Sequence, residues 1–376
     1  QGEEWQTLRT KVNPALMQPR NTRLYVSHID DVAQEFIQKM RKIRDKNEEL
    51  PETFNTEISK WALESICLVA LDKKLGCLAE NLPEDSDPQI MIKAATQILD
   101  LIYQLEIEVS YWMYFSTPAW RKFVKVMDCF TEVGWKYIEE TMTRLKTRAN
   151  DYSELSVLER MLLTNDDPKV AFVTALDMLF GGIDATTNTA AILIYYLAKN
   201  PVEQEKLHDE LRRILPSPDD VMTADKLEDM KYLKACVKES IRLSPITFGN
   251  ARKLTQDMVL SNYQVPEGIN VLLMHGPLGM DEKHFPNANK FIPERWLKGP
   301  NGEPSQARST HPFVYMPFGF GTRMCLGRRF AELEIHTLAA RMIRNFKVEY
   351  NYDMEFKQRV ILKPASPLKF KITDRH

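Results

Sequence analysis

The sequence predicts a mainly α-helical protein with small β-sheets, on three observations. From Gln1 to about Leu243, segment after segment places apolar residues three and four apart with charges between them. Beyond Pro245 the texture turns to short apolar runs punctuated by proline and glycine, and a last amphipathic helix is followed by two short strands. With 376 residues, 44% hydrophobic and 27% charged, the chain has an ordinary globular composition, which excludes collagen-like, disordered and disulfide-scaffold classes. One domain is expected over 1–376, with a helix-rich part at 1–244 and a mixed α/β part at 245–376.

In order along the chain, helices are expected over Arg23 to Lys46, Glu57 to Leu71, Gln89 to Tyr103, Thr117 to Arg148 and Val202 to Leu215. Gln1 lies in what reads as the middle of a helix, so an upstream portion is expected, and with it any targeting peptide or anchor. The segment Pro168 to Asn200 reads as one helix roughly three times the usual length, capped by Asp167, with Pro168 in its first turn and Asn200-Pro201 at its end. Val259 to Tyr263 and Ile269 to Met274 flank Pro266-Glu267-Gly268 and read as a β-hairpin. Prolines 286, 293, 300, 304, 312 and 317 mark a long irregular stretch, the kind of loop that is usually functional. A helix from Leu326 to Asn345 follows, then strands Phe346 to Tyr350 and Leu368 to Ile372.

Lys+Arg 50 against Asp+Glu 52 leaves a net charge of -2, too balanced for the basic field that nucleic-acid binding uses. No apolar run approaches a membrane span, the longest being Ala190 to Ala198. Five cysteines, 67, 77, 129, 236 and 325, stand singly with no C-x-x-C, the pattern of a reducing compartment.

Phe318-Gly319-Phe320-Gly321-Thr322-Arg323-Met324-Cys325-Leu326-Gly327 carries the most chemistry. Gly319 and Gly321 let the backbone approach a flat ligand. Cys325 falls at a helix start, where free N–H groups and the dipole favour a thiolate, a state suited to ligating haem iron. A lone cysteine is usually a small buried hydrophobe; the fixed spacing of Phe318, Gly321, Arg323 and Gly327 around this one argues otherwise.

This stretch resembles the signature F-x-x-G-x-R-x-C-x-G of the cytochrome P450 haem-thiolate monooxygenases. Glu239-Ser240-Ile241-Arg242 resembles the family's E-x-x-R. Phe291-Ile292-Pro293-Glu294-Arg295-Trp296 resembles the motif that adds Arg295 to that pair, and Trp5-Gln6-Thr7-Leu8-Arg9 resembles its W-x-x-x-R. The resemblance implies the cytochrome P450 fold, N-terminally incomplete, with haem b on the Cys325 thiolate and Phe318, Gly319 and Gly327 around it. Trp5, Arg9, Arg323 and Arg252 would hold the propionates, and Glu239, Arg242 and Arg295 would form a buried network that fixes the cysteine loop.

Within the long helix, Gly181-Gly182-Ile183-Asp184 matches the family's A/G-G-x-D/E-T-T, where the threonine after the acid helps protonate dioxygen. Here that position is Ala185 and Thr186 comes next, about 100° further round the helix. The catalytic candidates are therefore Asp184 and Thr186. Either a local distortion of the helix brings Thr186 or Thr187 to the oxygen, or water bridges from Asp184. The two glycines suggest a distorted groove.

Lys234 and Lys238, four apart on one helix face, match the lysines by which mitochondrial members bind an acidic, adrenodoxin-like ferredoxin. Arg328-Arg329, directly after the haem signature, also looks like the mitochondrial type, and the wider C-terminal region looks like the insect members of that clan. The implied location is the matrix side of the inner mitochondrial membrane, with peripheral membrane contact through the upstream part. By resemblance the pocket draws on Phe172, Leu176, Phe180, the 246–250 segment with Phe248, and the turn 361–365 with Leu362. These are mostly apolar, so the expected co-substrate of O2 is lipophilic, sterol- or ecdysteroid-like or xenobiotic. A microsomal enzyme served by a flavoprotein reductase and a non-catalytic haem protein are the alternatives.

Overall fold

The computed structural model describes residues 2–147, 155–165, 167–299 and 301–375. Gln1, Arg148 and Pro300, each part of an expectation above, lie outside them. The helices of the first part are α1 Glu3–Leu16, α2 Pro19–Arg23, α3 Val26–Ile43, α4 Phe54–Ala70, α5 Asp87–Ile102, α6 Pro118–Thr147, α7 Val157–Thr164, α8 Pro168–Lys199, α9 Pro201–Ile214, α10 Ala224–Asp229 and α11 Lys231–Leu243, with a π-helical turn Tyr103–Ile107 ending α5. Strands β1 Asn250–Lys253, β2 Met258–Leu260, β3 Tyr263–Val265 and β4 Asn270–Leu273 precede the short helices α12 His275–Gly279 and α13 Gln306–Ser309. Helix α14 Arg328–Asn345 leads to β5 Phe346–Glu349, β6 Phe356–Gln358, β7 Leu362–Pro364 and β8 Lys371–Asp374.

Local chemistry sets the helix ends. Asp167 accepts a hydrogen bond from the Lys169 N–H at 2.9 Å and Pro168 fills the first position of α8, as the sequence indicated. A reciprocal Ser156–Glu159 capping box starts α7. Helix α14 begins at Arg328, with Gly327 as its N-cap, so Cys325 stands just before the helix rather than on it.

Helix α8 runs through the protein against α4, α11 and α14. Among the described residues it is the one helix long and apolar enough to cross a membrane, which the run-length count missed because hydroxyls and glycines interrupt it. In this fold it is the central core helix, with half of its most apolar window buried. The main hydrophobic cluster extends from Val12 through Trp61, Leu179 and Leu193 to Phe370 and Ile372. Arg341 on α14 pins α3 to it: Nε and Nη2 donate to the Asp30 carboxylate at 2.6 and 2.5 Å, and Nη1 donates to the Pro218 carbonyl at 2.5 Å.

Two strand expectations need correcting. The hairpin joins β2 to β3 through Ser261 and Asn262, both at positive φ, and β4 pairs with β1 instead. Asn tolerates the left-handed region that a two-residue hairpin turn demands, whereas Pro266-Glu267-Gly268 only returns the chain from β3 towards β4. At the C-terminus β5 pairs with β8, three residues beyond the expected start, and the hairpin β6–β7 falls where an irregular turn was expected.

Candidate active site

Glu239 on α11 is buried and collects five donors. Arg242 Nε and Nη2 lie at 2.9 and 2.8 Å, the Ile292 N–H at 3.0 Å, Arg295 Nε at 3.2 Å and Trp296 Nε1 at 2.9 Å. Arg242 also donates to the carbonyls of Gly279, Ala288 and Lys290, and Arg295 to that of Asn287. The three charged residues named from the sequence thus meet in one network, which stitches α11 to the 279–296 segment. Its outer member, Trp296, packs on Tyr315 with ring centroids 4.5 Å apart, and the Tyr315 hydroxyl donates to the Lys238 carbonyl. Through Tyr315 the network reaches the loop that leads to Cys325.

That loop turns through Gly319 and Gly321, at φ +69° and +67°, a region costly for other residues. The Cys325 N–H donates to the Phe318 carbonyl at 2.8 Å. Cys325 opens on to a cavity of about 490 Å³ whose walls include Trp5, Arg9, Phe318, Gly319, Arg323 and Gly327. The surface Cys325 exposes is cavity wall, while protein packed behind it desolvates the thiol and pushes its pKa up. The N–H groups of Gly327 and Arg328 and the charge of Arg9 pull the other way.

Two cations converge on this wall. Arg9 Nη2 donates to the Met324 carbonyl at 2.6 Å, the Arg9 Nε is buried without a partner, and the Arg323 guanidinium stacks 3.5 Å from the Trp5 ring centroid. Burial, reinforced by Arg323, lowers the Arg9 pKa. Arg252 is placed elsewhere: its Nη1 donates to the adjacent Ala251 carbonyl, and Asn250, two residues earlier on β1, lines the cavity.

The opposite wall is α8, through Thr174, Asp177, Met178, Gly181, Gly182, Ala185, Thr186 and Thr189, a single stripe at three- and four-residue spacing. Helix α8 is α-helical without a break through this stripe. Gly182 is needed for packing: a Cβ there would meet Ile66 of α4 at 2.9 Å. Asp184 points off the stripe and pairs with Lys363 of β7 at 2.9 Å. The Thr186 hydroxyl lies 3.3 Å from Glu334 Oε2 of α14. Glu334 is itself buried, and burial pushes its pKa up to about 8.

Phe172, Leu176 and Phe180 lie off the stripe, Phe172 edge-on to Trp135 of α6. Phe248 packs over Gly276, and the Leu362 N–H bonds the Ile246 carbonyl; neither borders the cavity, whereas Ile246 and Thr247 do. The sequence reading missed Asp177 and Glu334. Asp177 has no hydrogen-bond or ion-pair partner among the described residues, and desolvation alone raises its pKa.

On α11, Lys238 is exposed with its ammonium 5.9 Å from the Trp296 ring centroid, while Lys234 is half-buried and donates to the Glu228 carbonyl at 3.0 Å. Arg328 forms a surface pair with Glu332, and Arg329 turns inward to the Met17 carbonyl.

The family model for cytochrome P450 matches residues 1–372. The chain belongs to the cytochrome P450 family. This P450 is 42% identical to cytochrome P450 CYP12A2 of Musca domestica, over all of this chain and 72% of that protein. It is 40% identical to the probable mitochondrial cytochrome P450 301a1 of Drosophila melanogaster, over 99% of this chain and 68% of the relative. It is 41% identical to the probable mitochondrial cytochrome P450 12a5 of the same fly, over all of this chain and 72% of the relative. The P450 is thus a haem-dependent monooxygenase, of a family that uses haem b with its iron on a cysteine thiolate and inserts oxygen from O2 into lipophilic molecules. The cavity fits that cofactor: it combines an accessible thiol, two arginines converging on one wall with an unsatisfied donor, and a glycine-lined, largely apolar interior.

Proposed function

We propose that this P450 is a mitochondrial monooxygenase of the matrix side of the inner membrane. In this reading it draws electrons from an acidic ferredoxin at Lys234 and Lys238 and oxidises a lipophilic substrate held between α8 and the Cys325 loop. The observation that carries the reading is the one cavity that unites Cys325, Arg9, Arg323 and the α8 stripe. Haem b supplies oxygen activation when bound. Cys325 would ligate its iron, and Arg9, Arg323 and Trp5 would hold its propionates. Thr186 offers the hydroxyl that Ala185 lacks, while Asp184 anchors β7. Trp5, Gly319 and Gly327 shape the walls that exclude bulk water.

The mitochondrial assignment draws on the relatives' names and on Lys238, exposed on α11. Membrane contact has a place on the described residues too: Ile107, Val109, Tyr111, Met113, Tyr114 and Phe115 are all exposed between α5 and α6, an apolar-rich segment interrupted by Glu108 and Ser110 of the kind that marks an interaction surface. Ile66, Met178, Ile241 and Ile246 make the cavity apolar, and Asp177 adds an acidic group that favours lipophiles carrying a hydrogen-bond donor. The packing of the described residues around one main cluster supports a single domain over 1–376.

The test is the ferrous carbonyl spectrum of the full-length protein, with turnover of a lipophile panel under two reductants. Thiolate-type absorption that disappears in Cys325→Ala, and turnover with ferredoxin but not with the flavoprotein reductase, are the expected results. A thiolate-type band retained in Cys325→Ala refutes the ligand assignment. Turnover only with the flavoprotein reductase makes the enzyme microsomal.

A further inference from the structure

The family resemblance nominates Arg252 of β1 for a haem propionate, yet its guanidinium folds back on the Ala251 carbonyl. Asn250 shares that face of the strand, two residues or about 7 Å earlier, and it is Asn250 that borders the cavity. Its amide is held from both sides. Nδ2 lies 3.4 Å from His275 Nδ1 at the start of α12, and Oδ1 abuts the Gly319 turn, 3.3 Å from where a Cβ on that glycine would stand. Gly319 belongs to the cysteine-loop wall, so Asn250 stands on the haem side of the cavity rather than along the α8 stripe.

His275 is 5% exposed, and its Nε2 is buried without a partner. Such an imidazole is costly where an apolar side chain would pack freely. Among the described residues no charged group acts on it; burial and the Thr247 carbonyl alone do, and Thr247 is itself cavity wall. Two glycines let the flanking backbones approach this closely. A Cβ on Gly249 would meet the Leu273 carbonyl oxygen at 2.7 Å, and one on Gly276 would meet the Phe248 ring at 2.9 Å. The Gly276 N–H bonds the Phe248 carbonyl at 3.1 Å, and the β1–β4 register sets Asn250 opposite Leu273. The ring therefore reaches Asn250 from a backbone clamped on both flanks.

We infer that His275 is a positioning residue for Asn250, and that the Asn250 amide, rather than the Arg252 guanidinium, is the β1-side hydrogen-bond partner of a haem propionate. The inference rests on the haem-thiolate site described above. The donor inventory gives the reason. With the ring proton on Nε2, Nδ1 accepts one of the two amide hydrogens of Asn250, which fixes the sense of the amide and leaves the second hydrogen for an anion. Without that acceptor the amide is free to turn its oxygen to the same place, where a carboxylate is repelled. The propionate wall then carries two charges, Arg9 and Arg323, and one neutral donor where the family pattern has a third charge.

Four variants of the full-length protein loaded with haem b test this: Asn250→Leu, His275→Leu, His275→Asn and Arg252→Ala. The readouts are the rate of haem transfer to apomyoglobin and the reduction potential of the iron. Asn250→Leu should release haem about tenfold faster, the worth of a hydrogen bond to a charged group. Its potential should fall, because a propionate without its donor favours the ferric state. His275→Leu should change both in the same direction, and combining it with Asn250→Leu should add nothing. His275→Asn, whose Oδ1 can accept where Nδ1 did, should restore most of the loss, and Arg252→Ala should release haem no faster than wild type. Faster release in Arg252→Ala with none in Asn250→Leu overturns the inference, as do additive losses in the double variant or a His275→Asn protein that matches His275→Leu. Should His275→Leu fail to fold, Asn250→Leu and Arg252→Ala still decide the partner. The ferrous carbonyl band is read throughout. Its absence from wild type removes the haem-thiolate reading and this inference with it, whereas a thiolate-type band with wild-type release and potential in Asn250→Leu removes this inference alone.

Discussion

Replacing Glu239 with Gln changes one oxygen to an amide nitrogen at the centre of the buried network. Oε1 accepts from Arg242 Nη2, Ile292 N and Arg295 Nε, and Oε2 from Arg242 Nε and Trp296 Nε1. Whichever way the amide turns, its NH2 faces at least two donors that lose their acceptor, and two buried guanidinium groups lose their counter-charge. Leaving a buried charge uncompensated costs about 3–5 kcal/mol, against a total stability of about 5–15 kcal/mol for a native protein. With an unfolding entropy of about 2.1 cal/mol/K per residue, a chain of this length shifts by roughly 4–6 °C. The assay is thermal unfolding of the full-length protein followed by far-UV circular dichroism and by haem absorbance. Haem should be lost before or with the helices, because the network holds Trp296 and, through it, Tyr315 and the cysteine loop. Arg23→Ala, which breaks an exposed pair with Glu228, serves as control and should leave the melt in place. A Glu239→Gln protein that melts with the control and keeps its haem would refute the reasoning.

If Asp184 serves as an anchor for β7, Asp184→Asn and Lys363→Met should lower the melting temperature alike and leave product per reductant unchanged; uncoupling in Asp184→Asn alone would return it to proton delivery. Replacing Lys234 and Lys238 with Glu should raise the KM for ferredoxin and weaken its salt dependence, since rim charges govern encounter, with Lys238→Glu the stronger single change because Lys234 is half-buried; equal KM values across the set would remove the docking assignment. Glu334 keeps its proton up to about pH 8 in the fold and releases it near 4.5 when unfolded, so its contribution is fully present below about 4.5 and is lost as pH rises towards 8. Stability measured across that window should therefore fall more steeply in wild type than in Glu334→Gln, and parallel curves would show that the carboxyl is ionised in the fold.

The cysteine loop and the Glu239–Arg242 pair were legible because their chemistry depends on short, fixed spacings that survive without knowledge of the fold, whereas Arg295, 56 residues on, entered only through the family resemblance. Phe172, Leu176 and Phe180 were misplaced for the opposite reason. Helix α8 is buried on several sides, so its apolar pattern does not say which face meets the cavity, and the resemblance that named these three residues does not fix that face either; Phe172 turns to Trp135 of α6. Glu334 carried a usable signal: it shares a face with Phe330, Thr337, Leu338 and Arg341, all buried, and an acid at such a phase has to be paired or neutral. The β2–β3 hairpin was signalled by Ser261-Asn262 and obscured by the stronger-looking Pro-Glu-Gly, which belongs to the next connection. What stayed illegible was orientation, such as Arg252 folding back on Ala251, since a side chain's direction depends on neighbours distant in sequence.

The bond from Arg9 to the Met324 carbonyl joins residues 315 positions apart. Bringing the two ends of so long a segment together costs about 5 kcal/mol of chain entropy, and the cavity wall exists only once that closure is made. The Trp5–Arg9 helix is made well before the loop that completes the wall with it. A nascent chain therefore carries half of the wall until the 318–327 loop has left the ribosome. A chain that stops before residue 323 lacks both Arg323 and Cys325, and with them one side of the wall.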